Sequence, residues 1–428
     1  MTGSARIAAV DLNGLLRGKR VPSAKLGQPL RMPFSALNVD IFGFDIEDSP
    51  LVFETGDADG LVLPCDREPV PLPWLDHAPL LQLSQVHHDD GRPFEGDPRH
   101  ALAQVLERYA ARGWLPYCAV ELEFYLVEKD GALAAPVNPA SGRRIKDPQV
   151  LGLRQLDAFD AFFSELERHA AAMGLPATTI TSESGLGQFE VTLDHGPALR
   201  AADDALMMKE LIKGTAYNHG FTATFMAKPF GDDAGNGLHI HASVLTEDGQ
   251  NIFDDGGDQG TDALRHSIAG CLAAMPASTL FFAPHLQSYA RFVDNAHAPT
   301  AASWGYDNRT VALRVPAGPP KARRLEHRVA GGDANPYLLY AAVLGAALMG
   351  LEDGLDPPDA LDGNAYGQDA PRLAPDMEGA IAALAAPILT RIFDPLLIDN
   401  LARSKRQDLA KCRQMSDTDL TLALLDAV

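Results

Sequence analysis

Four stretches far apart in the chain share one pattern: an apolar residue alternates with a carboxylate, an imidazole or a guanidinium. In AVELEFYLVE (119–128), Glu121 and Glu123 fall on one face of an extended chain, with Val120, Leu122, Phe124 and Leu126 on the other. In GQFEVTLDH (187–195), Glu190, Thr192 and Asp194 lie opposite Phe189, Val191 and Leu193, with Glu183 just upstream in SESG. In GLHIHASVL (237–245), His239, His241 and Ser243 oppose Leu238, Ile240, Ala242 and Val244, and in KARRLEHRVA (321–330) Arg324, Glu326 and Arg328 oppose Leu325 and Val329. Two carboxylates roughly 6 to 7 Å apart repel by about 2 to 3 kcal/mol at an effective dielectric near 20. A solvated sheet rim accounts for one such strand. Four of them imply a sheet with one face on a core and the other turned to a common site, where positive charge sits between the carboxylates.

The ligand inventory narrows the chemistry. Glu121, Glu123, Glu183, Glu190 and Glu326, with His239 and no thiolate, suit Mg²⁺ or Mn²⁺ better than zinc, and exceed what one divalent ion needs, so two or three ions are expected. Arg309, Arg314, Arg324 and Arg328 add the forked donors that bind phosphate and carboxylate. Metal ligands interleaved with arginines describe phosphoryl transfer, where catalysis is chiefly positioning and charge neutralisation. No P-loop is present: Gly14 to Lys19 is one residue too short, and Arg20 stands where Ser or Thr is needed. The H-x-H of metal-dependent hydrolases competes for His239 and His241, but that arrangement needs the pair early in its domain and eight strand–helix alternations. Neither condition holds.

A formal net charge of −21 argues against a nucleic-acid or anionic-membrane partner. Cys65, Cys118, Cys271 and Cys412 are scattered without metal-like spacing and read as reduced thiols of a cytoplasmic protein. The N-terminal MTGSARIAAVDLNG is too poor in apolar run for a signal peptide, and YLLYAAVLGAALMGL reads as a buried helix begun by Asn335-Pro336. The first ninety residues, rich in Pro, Gly and short runs such as IAAVDLNG, PLVFET, GLVLP and LLQLSQVHH, predict a small β domain, followed by HHDDGRPFEGDPRH as a linker; further on, EDGQNIFDDGGDQG reads as a surface loop, with a flexible active-site flap as the alternative. The remainder mixes strands and helices, an α+β pattern.

These residues resemble the glutamine synthetase superfamily. The resemblance rests on ELEF (121–124), SESGLGQFE, GLHIHAS, NRTVALRVP (308–316) and KARRLEHRVAGGDANPYLLYAAVLGAALMG (321–350), with DLNGLLRGKRVP and GDADGLVLPCD upstream, and so covers nearly the whole chain. It implies a small N-terminal β-grasp domain (1–92) and a catalytic domain (97–428) with a curved antiparallel sheet flanked by helices. It also implies a homo-oligomer of two stacked rings, a dodecamer, with each site between neighbours. By resemblance, Glu123, Glu183 and Glu190 hold the ion near the acyl substrate, and Glu121, His239 and Glu326 the ion on the ATP phosphates. His241, Ser243, Lys321 and Arg324 line the nucleotide, Arg309 and Arg314 reach its transferred phosphate, Arg291 and Gly235 meet the substrate acid, and Arg328 stabilises developing charge.

The departures bear on the second substrate. Where ammonia-using members carry E-A-P, this chain has His297-Ala298-Pro299, and where they carry N-G-S-G it has Ala234-Gly235-Asn236-Gly237. Asp45 in GFDIED stands for the ammonium-binding aspartate, without its D-G-S-S surroundings. His297 is thus a base or a steric selector. Tyr366 stands roughly where some members carry a regulatory tyrosine, and NAYGQD reads as surface. The resemblance implies an ATP-dependent ligase joining glutamate, or a close analogue, to an organic amine through an acyl phosphate. An ammonia-using glutamine synthetase and a non-catalytic member remain as alternatives.

Overall fold

The computed structural model describes residues 3–129, 133–296 and 298–428. Six strands, β1 (Ser4–Val10), β2 (Leu16–Pro22), β3 (Leu30–Pro33), β4 (Asp59–Pro64), β5 (Val70–Pro71) and β6 (Leu80–His87), form the N-terminal sheet in the order β2-β1-β6-β4-β3, with β5 on β6. Its centre is the parallel pair β1/β6. PLVFET is not a strand. Pro50–Phe53 is a short helix, because Pro50 presets the first turn and the Ser49 hydroxyl caps the Leu51 amide. Nor is HHDDGRPFEGDPRH a loose linker: Phe94 is buried against Phe34, and the Asp97 carboxylate accepts from the amides of Val86, Arg99 and His100, joining β6 to the start of the helix Pro98–Ala110.

The second sheet has eight strands. Besides β7 (Trp114–Glu128) it contains β10 (Ala177–Ser182), β11 (Gln188–Pro197), β12 (Phe221–Thr224), β13 (Leu238–Thr246), β14 (Trp304–Tyr306), β15 (Leu313–Val315) and β16 (Leu325–His327). The order is β10-β11-β7-β13-β16-β15-β14, with β12 also on β7, and β8 (Val137–Asn138) and β9 (Arg143–Arg144) make a separate ribbon. All pairings in the large sheet are antiparallel except β14 with β15. Alternation is strict along β7 from Pro116 to Phe124, with every second residue buried.

Helices cover the apolar face. The helix Pro336–Asp353 starts on the Asn335 cap, ends at Gly354 in the left-handed region and is buried from Pro336 to Gly350. It belongs to one apolar core running from Ala8 and Val10 of β1 through Leu122 and Phe189 to Tyr340 and Leu344. No helix among the described residues is long and apolar enough to cross a membrane. The four cysteines are free thiols. The acidic loop after β13 is tied down by buried Phe253 and by Asn251, whose amide donates to the carbonyls of Lys321 and Arg323.

Candidate active site

The polar faces of β7, β11, β13 and β16 meet because of register. Glu190 lies opposite Glu123 and Thr192 opposite Glu121 across β11/β7, His239 opposite Glu121 across β13/β7, and Glu326 opposite His241 across β16/β13. Like charges directly opposed in a sheet are destabilising, so the neighbours have to compensate. Glu121 accepts from His239 Nδ1 at 2.9 Å and from His241 Nε2 at 2.8 Å. Glu123 accepts the Gly237 amide at 2.6 Å, an approach open to glycine because a Cβ there would stand 2.6 Å from His239 Nε2. Glu326, 1% exposed, accepts from Arg328 and, at 3.0 Å, from Arg314, which also reaches Asp307. Arg324 Nε donates to His241 Nδ1 at 3.2 Å.

The carboxylates do not share one electrostatic fate. Burial pushes Glu121 upward, but the hydrogen bonds from His239 and His241 overcome it and hold the group well below the ordinary range. Burial also opposes ionisation of Glu326, where Arg328 prevails and the pKa falls. Glu190 has no such partner. Burial, then the charges of Glu121, Glu123, Glu183 and Glu326, drives it up to about 9. Glu183 is raised to about 7 by burial and by Glu123 and Glu121. Two acids that hold protons for want of positive charge are what a cation site looks like before its ion is counted. Two donor groups have ligand atoms within 4.8 Å of one another, Glu121–His239–Glu326 and Glu123–Glu190–His239. Oxygen donors with one imidazole fit Mg²⁺ or Mn²⁺.

Two cavities meet at Glu121. One, of about 510 Å³, is lined by Glu121, Glu123, Glu183, Glu190 and His239 together with Gly235, Arg291, Arg309 and Arg328. The other, of about 910 Å³, is lined by Glu121 with His241, Ser243, Lys321 and Arg324, and by Tyr117, Thr192, Asp194 and His195. Arg291 is buried and donates to the Val329 carbonyl. Glu326 and Arg314 line neither cavity; they brace the wall through their ion pair. Asp45 is exposed and also lines neither. His297 lies outside the described residues. Tyr366 is half-buried, its hydroxyl donating to the Ala298 carbonyl.

Several lining residues escaped the sequence reading. Gln188 donates its amide to the Gly235 carbonyl and to Asn236 Oδ1, both at 3.0 Å, and so fixes the loop that carries Gly235. Its parity on β11 is that of Glu190, so alternation marks it; only its lack of charge hid it. Asp254, Gln250 and Asn251 put the acidic loop at the rim of the larger cavity. Lys228, Asp232 and Asp233 come from an irregular segment with no period to read.

Comparison with known proteins gives concordant results. Residues 95–422 match the family model described as glutamine synthetase, catalytic domain. The chain is 37% identical to γ-glutamylputrescine synthetase of Escherichia coli (strain K12) over 371 residues, 85% of this chain and 79% of that protein. It is 33% identical to a glutamine synthetase of Pyrococcus abyssi (strain GE5 / Orsay) over 362 residues, 84% of this chain and 77% of that one. The ligand-free structure of GmaS superposes with a TM-score of 0.84 at 30% identity, covering 98% of this chain and 95% of its own.

Proposed function

This chain belongs to the glutamine synthetase family, and from that premise we propose that it is an ATP- and divalent-metal-dependent ligase joining the γ-carboxylate of glutamate to an organic amine. The observation that carries the reading is the pair of cavities meeting at Glu121, one rich in carboxylates and arginines, the other holding His241, Ser243, Lys321 and Arg324. On this reading the larger cavity takes ATP and the smaller takes the acid. Glu121, His239 and Glu326 would hold one divalent ion on the side of the larger cavity, and Glu123, Glu183 and Glu190 a second on the side of the smaller. When bound, Mg²⁺ or Mn²⁺ neutralises phosphate oxygens and lowers the repulsion between two anionic substrates.

The chain's own groups do the rest. Arg291 and the Gly235 backbone orient the acid, and Arg309 receives the transferred phosphate, while Arg314 stays paired with Glu326 and Asp307 behind the cavity wall. A γ-carboxylate oxygen attacks the terminal phosphorus and ADP leaves. The amine lone pair then attacks the acyl carbon, the C–O bond to phosphate breaks, and the amine gives up a proton. Arg328 meets the oxyanion that develops at that carbon. His297 of this chain and Asp45 from a neighbouring subunit are the candidates for receiving the proton; Asp45 is exposed and lines neither of its own chain's two cavities, as a residue serving a neighbour in a double ring would.

An organic amine is preferred to ammonia because the catalytic glutamate of E-A-P is replaced by His297, and because the γ-glutamylputrescine synthetase is among the similar proteins. The likeness to the Pyrococcus glutamine synthetase keeps the ammonia reading as the second one. ADP release measured across a panel of acids and amines tests both: turnover with glutamate and an alkyl- or polyamine, absent without Mg²⁺ or Mn²⁺, is the expected result. Equal efficiency with ammonia and every amine gives the second reading its place.

A further inference from the structure

The acid cavity shares a wall with a separate groove of about 560 Å³; the common residues are Asp232 and Asp233. Away from that wall the groove is lined by Leu133, Ala135, Leu186 and Phe230, with Lys146 as its cation. Its walls are firmly built. The Phe230 ring packs edge-on against buried Tyr125, 5.2 Å between centroids, and the Tyr125 hydroxyl donates to the Ala234 carbonyl at 2.8 Å. Gly187 has a φ of +87°, and a Cβ there would meet Pro136 at 2.5 Å, so the segment after Leu133 is seated directly on the turn that carries Leu186.

The two aspartates differ. Asp233 spends both carboxylate oxygens on the amides of Leu186 and Ala234, each at 2.8 Å, and so fixes the partition between groove and cavity. Asp232 is exposed and makes no hydrogen bond or close ion pair among the described residues; Lys228, which lines the same cavity, is its electrostatic neighbour. Lys228 approaches from the cavity side and donates to the Asp233 carbonyl. Lys146 is shared between the groove and a neighbouring cleft that Arg143, Arg144 and Asp147 also line. The groove is thus anionic where it adjoins the acid cavity, carries a cation where it adjoins the second cleft, and is otherwise apolar.

Resting on the ligase reading above, we propose that this groove is the subsite for the carbon body of the amine. Its occupant is a primary amine with an aliphatic chain, the ammonium end toward Asp232 and the chain lying over Leu186 and Phe230. Ammonia would leave the groove empty.

The test is kcat/KM for n-alkylamines from ethylamine to hexylamine, with glutamate and ATP, in the full-length enzyme. Each methylene buried in the groove raises it about fourfold until the groove is filled. Ala135→Phe, which fills the groove, and Leu186→Ala, which removes part of its wall, both flatten that dependence to less than twofold per methylene. Lys146→Glu raises the ratio of 1,4-diaminobutane to butylamine, because the far end of the groove then attracts a second ammonium. No chain-length dependence, or the same dependence in wild type and both groove variants, overturns the subsite. If no amine is joined to glutamate, the ligase reading fails separately; calorimetric binding of butylamine and ethylamine to wild type and Ala135→Phe then decides the groove. A butylamine preference lost in the variant upholds it, and an unchanged ratio overturns it.

Discussion

Binding of Mg²⁺ or Mn²⁺ to the metal-free protein should expel protons. With pKa values of about 9 and about 7, Glu190 is almost fully protonated at pH 7 and Glu183 half protonated. Ligation requires both as carboxylates, so one proton and half a proton, about 1.5 in all, leave per site. By linkage the metal binds roughly fifteen- to twentyfold more tightly at pH 8 than at pH 7. The sign for folding is the reverse in the metal-free protein: these folded pKa values lie above the unfolded one, so the native state binds the extra protons. Its stability therefore falls as pH rises from the unfolded pKa through 7 to 9, by roughly 1 to 2 kcal/mol between pH 7 and 8. Glu121 and Glu326, held low by His239, His241 and Arg328, do not titrate in that window. Lys209, lowered to about 8 by burial, and Asp97, raised to about 6, titrate with and without metal and cancel from the difference. Titration calorimetry in buffers of different ionisation enthalpy reads the proton number directly. A heat independent of buffer, with affinity flat from pH 6 to 8, would refute the assignment of Glu183 and Glu190 as ligands.

Three further outcomes are expected. Glu326→Ala abolishes ADP release and, by leaving Arg314 and Arg328 without their shared anion, lowers stability by about 3 to 5 kcal/mol. Glu326→Gln, which keeps an acceptor, should lose turnover with less destabilisation; more than a few per cent of wild-type activity in either variant rules out Glu326 as a metal ligand. His297→Glu shifts preference toward ammonia, since a carboxylate attracts ammonium and can take its proton. An unchanged ratio of ammonia to butylamine efficiency removes His297 from the amine site. Light scattering should find a particle near twelve times 45.8 kDa, about 550 kDa, and a fully active monomer would contradict shared sites.

Much of the site was legible because β structure has an integer period. Once Val120 and Leu122 face the core, Glu121 and Glu123 must face away, and the same parity on β11 and β13 places Glu190 and His239. Periodicity fails where the backbone has no period. Lys228 to Gly237 is mostly irregular, so the sequence alone did not mark Asp232 and Asp233 as a wall, nor the groove behind them. In the N-terminal region, apolar composition suggested a strand at PLVFET, yet one serine cap and one proline decided for a helical turn. Arg314 was placed at the phosphate, but in the structure its guanidinium is occupied by Glu326 and Asp307. Strand parity gives a side chain's face, not which of two nearby anions it will meet.

The same parity orders the two cavities along the strands. On β7, Tyr117 and Ala119 line the larger cavity, Glu121 lines both and Glu123 only the smaller. On β11, Asp194 and Thr192 face the larger cavity, and Glu190 and Gln188 the smaller; on β13, Ser243 and His241 precede His239 in the same sense. Three antiparallel strands thus cross the boundary at one level, fixed by the pairing of Glu121 with Thr192 and His239. Successive residues on one face of a strand are about 7 Å apart, so the step from one cavity to the other is a single side-chain pitch. On the ligase reading the phosphoryl group is transferred at this boundary, whose level is set by backbone register. Slipping β11 by one residue against β7 would send Glu190 and Thr192 into the core and bring out Phe189 and Val191. The buried set on these strands forbids it. The apolar alternation that folds the sheet therefore also holds the carboxylates of Glu121, Glu123 and Glu190 side by side in a geometry they would not choose, and on the ligase reading divalent ions supply the positive charge they call for.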